Sequence, residues 1–160
     1  MATITATSRD PARPRPGRPQ PALGCWPLHA VLDLCAFPTA PGCARAWTRE
    51  ILREWRLSGL ADTAALIVSE LVTNSVQASR RLTMSAVRLI LVSDRRELTV
   101  LVRDCGAGAP EPRHPDADDE CGRGLMLVES VSDQSGWYLS DEGAPGKVVW
   151  AAISVPGCRR

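Results

Sequence analysis

The segment AVRLILVSDRRELTVLVRD (86–104) constrains the fold more than any other stretch of the chain. Two runs rich in Val, Leu and Ile, AVRLILVS (86–93) and LTVLVRD (98–104), are separated only by DRRE. Such runs read as strands, and so short a connection joins antiparallel neighbours. GWYLSD and GKVVWAAISV, on either side of EGAPG, form a second hairpin. HAVLDLCAFP (29–38) reads as a first strand and TAPG as a turn. Helical periodicity appears in CARAWTREILREWRL (43–57), and again from an Asp62 cap to about Arg80; a short helix starts near Gly124. Helices are thus segregated from hairpin-joined strands. The order predicts an α+β fold, a two-layer α/β sandwich whose mixed, mostly antiparallel sheet is covered on one face by helices. A doubly wound parallel sheet is not expected.

At 160 residues the chain is long enough for one domain with a sizeable core. The expected division is a Pro/Arg-rich tail over residues 1–22 and a single domain over 23–158. The tail carries Arg9, Arg13, Arg15 and Arg18 against Asp10, and its composition cannot build a core. The formal net charge of +1 shows no bias towards nucleic acid, and four tail arginines would give only weak, salt-sensitive binding. No apolar run approaches the roughly 20 residues that span a bilayer. The first 22 residues contain no signal-like apolar region, so the six cysteines are expected to be reduced thiols in a cytoplasm. No C-x-x-C pair occurs, and Cys25, His29, Cys35 and Cys43 match no common zinc spacing.

SELVTNSVQAS (69–79) places a carboxylate, Glu70, four residues before a carboxamide, Asn74. On a helical wheel Ala64, Ile67, Val68, Leu71, Val72, Ser75 and Ala78 gather on one side, while Ser69, Thr73 and Arg80 face away. Glu70 and Asn74 fall at the border of the apolar side and point the same way. Such an oxygen-bearing pair is able to serve as proton acceptor and metal ligand, although the helix alone is equally compatible with a solvated polar border.

Two loops bear on that choice. VRDCGAGAP (102–110) puts Asp104 at a strand end, followed by Gly106 and Gly108, which permit close backbone approach. ECGRGLMLVESVSD (120–133) places Gly122, Arg123 and Gly124 at the opening of a helix, where free N–H groups and the positive dipole end favour an anion. Either motif alone is compatible with a plain turn. There is no G-x-x-x-x-G-K-[ST] and no G-x-G-x-x-G, which excludes a P-loop and a Rossmann fingerprint.

In order, SELVTNSVQAS, DCGAG, GRGLMLVESVSDQSGW and GKVVWA resemble the GHKL superfamily of ATPases, which includes histidine kinases, Hsp90, gyrase B and MutL. The resemblance covers about residues 25–155. It is closest to the anti-sigma-factor serine/threonine kinases and their stand-alone bacterial relatives. It implies that Glu70 is the general base, that Asn74 coordinates Mg²⁺, and that Asp104 accepts a hydrogen bond from the exocyclic amine of adenine. It further implies that Gly106 and Gly108 pass close to the base, and that Gly122, Arg123 and Gly124 belong to a lid whose amides meet the phosphates of ATP. The activity implied is protein serine/threonine phosphorylation in bacterial transcriptional regulation. The implied partners are a sigma factor and an anti-sigma-factor antagonist, and members often form homodimers. The alternative is a non-catalytic ATP-binding regulator whose contact with a protein partner depends on nucleotide. A histidine autokinase is not expected, because His29 and His114 lie in no dimerisation segment.

Two positions depart from the family pattern. Many relatives have His where this chain has Ala78. Many have Thr, which helps hold adenine, where this chain has Val148; its loss is expected to weaken ATP binding by about 1 kcal/mol. Cys105 and Cys121 neighbour the two loops and read as small gap-filling residues, with oxidation or bridging as the alternative.

Overall fold

A computed structural model describes residues 26–79, 85–106, 124–140 and 146–157. Its strands are β1 (Leu28–Cys35), β2 (Ala86–Ser93), β3 (Glu97–Asp104), β4 (Gln134–Ser140) and β5 (Gly146–Ser154). Its helices are α1 (Ala40–Glu54), α2 (Ala61–Ser79) and α3 (Gly124–Val131), with a short 3-10 turn at Ser58–Leu60. The five strands form one sheet in the order β1-β2-β3-β5-β4. Every neighbouring pair is antiparallel, so the described sheet is wholly antiparallel rather than mixed.

Alternation along each strand sorts the side chains into two layers. Leu89 and Leu91 of β2, Val100 and Val102 of β3, and Ala151 and Ile153 of β5 face the helices. There they meet Leu52 of α1, Ile67 and Leu71 of α2, and Val128 of α3. Full burial of such a side chain contributes about 1.5–3 kcal/mol. The other face carries a smaller cluster of Val92, Leu101, Val148, Trp150 and Ala152, with Trp26, Ile90 and Tyr138 packed on it. Nearer the β1 edge that face becomes polar. Arg88 donates to both oxygens of Asp33 at 2.7 and 3.0 Å, which holds the Asp33 carboxyl below the usual range.

The hairpin read in 86–104 forms as expected. Asp94 Oδ1 accepts the N–H groups of Arg96 and Glu97 at 2.9 and 2.8 Å, and Arg95 takes a positive φ of 68°. An Asp-led turn of this kind satisfies its own backbone donors. Three boundaries differ from expectation. First, α1 begins at Ala40, three residues before the expected start. Pro41 then lies in the first turn, where its missing N–H costs nothing, so TAPG opens the helix instead of forming a turn. Second, α2 follows directly on the 3-10 turn, so Asp62 sits inside its first turn and does not cap it. Its carboxylate instead pairs with Arg49 of α1 at 3.3 Å. Third, β1 ends at Cys35, before the Phe37–Pro38 pair that was expected to close it.

On α2 the expected apolar side is buried from Ala64 through Ser75, but Ala78 is exposed and Val76 and Ser79 are buried in its place. Ser69 and Thr73 are half-buried, and the Ser69 hydroxyl accepts a 2.7 Å hydrogen bond from Arg45 of α1. The helix is therefore clasped on more than one side.

Candidate functional site

Asp104 is the last residue of β3, and its cross-strand partner is Lys147, the second residue of β5. Both side chains point to the helix layer, as Val102 and Val149 do on the same strands. The Asp104 side chain is fully buried and the Lys147 side chain is 9% exposed; Lys147 Nζ lies 3.7 Å from Asp104 Oδ1. The chain turns immediately after β3, and the Gly106 N–H donates to the same Oδ1 at 2.8 Å. One carboxylate oxygen thus has two neighbours. The other, Oδ2, is buried and has no hydrogen-bond partner among the described residues. A buried acceptor without a donor is costly, so this oxygen marks a place where a ligand donor is favoured.

The space beside Asp104 depends on glycine. A Cβ at Gly106 would lie 2.9 Å from Asp104 Oδ1, 3.4 Å from Lys147 Nζ and 3.5 Å from Ala78 Cβ. Residues 78, 104, 106 and 147 therefore converge on one spot. Gly146 brings the start of β5 so close that a Cβ there would run into the Asp104 backbone oxygen.

A second group lies farther along α2. Glu70 and Asn74 are both half-buried, and among the described residues neither side chain makes a hydrogen bond or ion pair. Gly124, buried at the first position of α3, lies against Glu70, and a Cβ there would collide with Oε2. The positive end of the α3 dipole thus abuts a carboxylate. Glu70, Asn74 and Ala78 are spaced by four residues each, so they form one row on α2. At about 1.5 Å per residue the row spans roughly 12 Å. It runs from the α3 terminus to the spot beside Asp104 and joins the two groups into one elongated site.

Of the expected site residues, Glu70, Asn74, Asp104, Gly106 and Gly124 are brought together along this row. Gly108, Gly122 and Arg123 lie outside the described residues, as do Cys121 and the tail at 1–22. Two expectations are corrected. Val148 is buried on the opposite face of the sheet, packed with Trp150, so it has no access to the site; alternation along β5 assigns that face to it and the site face to Lys147. Cys105 is exposed and fills no gap. The sequence reading missed Lys147 and Gly146 as site residues. The signal was available in GKVVWAAIS, where the core-facing phase of Val149, Ala151 and Ile153 extends back to Lys147.

A family model for the histidine kinase-like ATPase domain matches residues 37–153. The chain belongs to that family, and so to the GHKL superfamily. No curated protein matches the chain in sequence. No helix among the described residues is long and apolar enough to cross a membrane. The residues present fit an adenine nucleotide. The unpartnered Asp104 Oδ2 suits an amino group, the surface beside Gly106 would be filled by any Cβ, and Asn74 offers an uncharged oxygen of the kind a phosphate-bound Mg²⁺ accepts.

Proposed function

We propose that this chain binds ATP with Mg²⁺ and phosphorylates a serine or threonine of a partner protein, in the manner of the anti-sigma-factor kinases. The observation that carries the nucleotide reading is the buried Asp104 carboxylate, one oxygen of which has no hydrogen-bond partner among the described residues. It would accept the amino group of adenine, where guanine presents an oxygen. Asn74 would hold Mg²⁺, and Glu70, one turn earlier, would accept the proton of the attacking hydroxyl. Phosphoryl transfer depends mainly on positioning and charge neutralisation, which suits a site with few catalytic side chains. The family's bacterial regulators suggest a sigma factor and an anti-sigma-factor antagonist as partners.

Calorimetry with ATP, with and without Mg²⁺, tests the site. Wild type is expected to bind, Asp104→Ala to abolish binding, and Asn74→Ala to remove the Mg²⁺ dependence. Phosphotransfer to the antagonist tests the kinase step. Glu70→Gln is expected to lower its rate by about 10²–10⁴-fold, the usual worth of a positioned base, with ATP affinity unchanged. ATP binding by a wild type that labels no antagonist would leave a nucleotide-dependent regulator as the better reading.

A further inference from the structure

We infer that Lys147 is a positioning and specificity-determining residue for base recognition: it neutralises Asp104 and occupies the Oδ1 side, so that Oδ2 is presented to an uncharged N–H donor. This rests on the adenine reading proposed above.

The geometry gives each carboxylate oxygen a different task. Oδ1 receives the Gly106 N–H at 2.8 Å and faces Lys147 Nζ at 3.7 Å, while Oδ2 is buried without a donor among the described residues. Two contacts on one oxygen fix the rotation of the carboxyl group about its last bond. Among the described residues, Asp104 has no other ionic partner. From α2 the residue meeting this spot is Ala78, and the adjacent Arg103 is paired with Val148, on the other face of the sheet. Lys147 is therefore the cation that balances Asp104 among the described residues.

That balance decides what ligand suits Oδ2. An isolated buried carboxylate attracts a cation. A carboxylate already paired with an ammonium carries no net charge to offer, and it selects a neutral donor such as an aromatic amine. A structural role explains the pair less well. Buried ion pairs give little or no net stability over well-packed apolar residues, and the same strands already supply Val102 and Val149 on this face. The departure at Val148 also takes on a different meaning. The β5 side chain that works with Asp104 is its cross-strand partner at 147, not the residue after it.

The test compares two probes, ATP and the triphosphate of purine riboside, which carries hydrogen where adenine has its amino group. Both are titrated in Mg²⁺ into wild type, Lys147→Met and Lys147→Arg. Wild type is expected to prefer ATP by about tenfold or more, the worth of one hydrogen bond to a charged group. Lys147→Met should lose about tenfold in ATP affinity and stay within about twofold for the comparison ligand. Lys147→Arg, which keeps the charge, should retain most of the preference. Equal weakening of both ligands by Lys147→Met, or an unchanged preference, overturns the inference and leaves the adenine reading intact. Equal affinity of wild type for the two probes overturns the adenine reading itself, and the inference with it. If Lys147→Met does not fold, Lys147→Gln removes the same charge with a polar side chain and is judged by the same ratio.

Discussion

The two ends of the row along α2 are built on opposite principles. At the Asp104 end a charged pair sits in the protein interior, on the ends of two paired strands, with a backbone N–H fixing one oxygen. At the Glu70 end a carboxylate and a carboxamide sit half-exposed on a helix, without internal partners among the described residues. The first end is complete except for one acceptor. The second has its groups placed but leaves their interactions to whatever binds. This division suits a site that recognises one invariant moiety and handles charge at the other end. Recognition gains from rigidity, because the ordering cost is met during folding. Groups that handle protons and metal need solvent and ligand access.

The largest expected effect breaks that comparison at its buried end. Asp104→Ala leaves the Lys147 ammonium enclosed without a counter-charge, and loss of one partner of a buried pair costs about 3–5 kcal/mol. Glu70→Ala removes a half-exposed group with no hydrogen-bond or ion-pair partner among the described residues; it gives up only its contact with the α3 dipole, and its cost should stay within about 1 kcal/mol. Urea denaturation of both variants checks the contrast. Similar costs at the two sites would mean that Glu70 is held as tightly as Asp104, and the distinction between a prebuilt end and an open end would be lost.

A smaller effect sharpens the boundary of the site. Val148→Thr introduces the residue that the resemblance leads one to expect there, but on the face away from Asp104, in the cluster around Trp150. A hydroxyl buried there without a partner should cost about 1 kcal/mol in stability and leave ATP affinity unchanged. Calorimetry and thermal unfolding of the single variant separate the two. A gain in ATP affinity of about fivefold, equal to about 1 kcal/mol, would return Val148 to the base pocket and displace Lys147 from it.

That contrast also shows what the sequence made legible. The β2–β3 and β4–β5 hairpins and the apolar side of α2 follow from local periodicity, so they could be read directly. Glu70, Asn74, Asp104 and Gly124 stand out because spacing and neighbouring glycines are local too. The joining of the two hairpins through β3 and β5 is not local, and that pairing is what sets Lys147 opposite Asp104. The motif in the 146–154 strand points to Val148, one residue and one sheet face away from Lys147. The start of α1 was hidden for a different reason. Pro and Gly at 41 and 42 suggest a turn, yet the first helical turn tolerates both, and Thr48 and Leu52 bury the face that holds it down.

A stability effect no larger than that of Glu70→Ala falls at the same open end and sharpens the comparison most. A Cβ at Gly124 would meet Glu70 Oε2, the tip of a flexible and half-exposed side chain, not a rigid backbone atom. Glu70 is able to rotate away, and at the first position of α3 the gain of Ala over Gly is only part of the roughly 1 kcal/mol it reaches in a helix interior. Gly124→Ala should therefore change stability by less than about 1 kcal/mol in either direction. It should also leave the ATP preference over purine riboside triphosphate intact, because Asp104, Gly106 and Lys147 are untouched. What moves is the carboxylate proposed as base. The expected signature is phosphotransfer reduced by roughly tenfold or more, since a displacement of about 1 Å already costs heavily in a positioned reaction. Measured together by calorimetry, urea denaturation and phosphotransfer, an unaltered rate would show that Glu70 works from another rotamer or does not act as the base. A lost base preference would show that the two ends of the row are coupled and not independent.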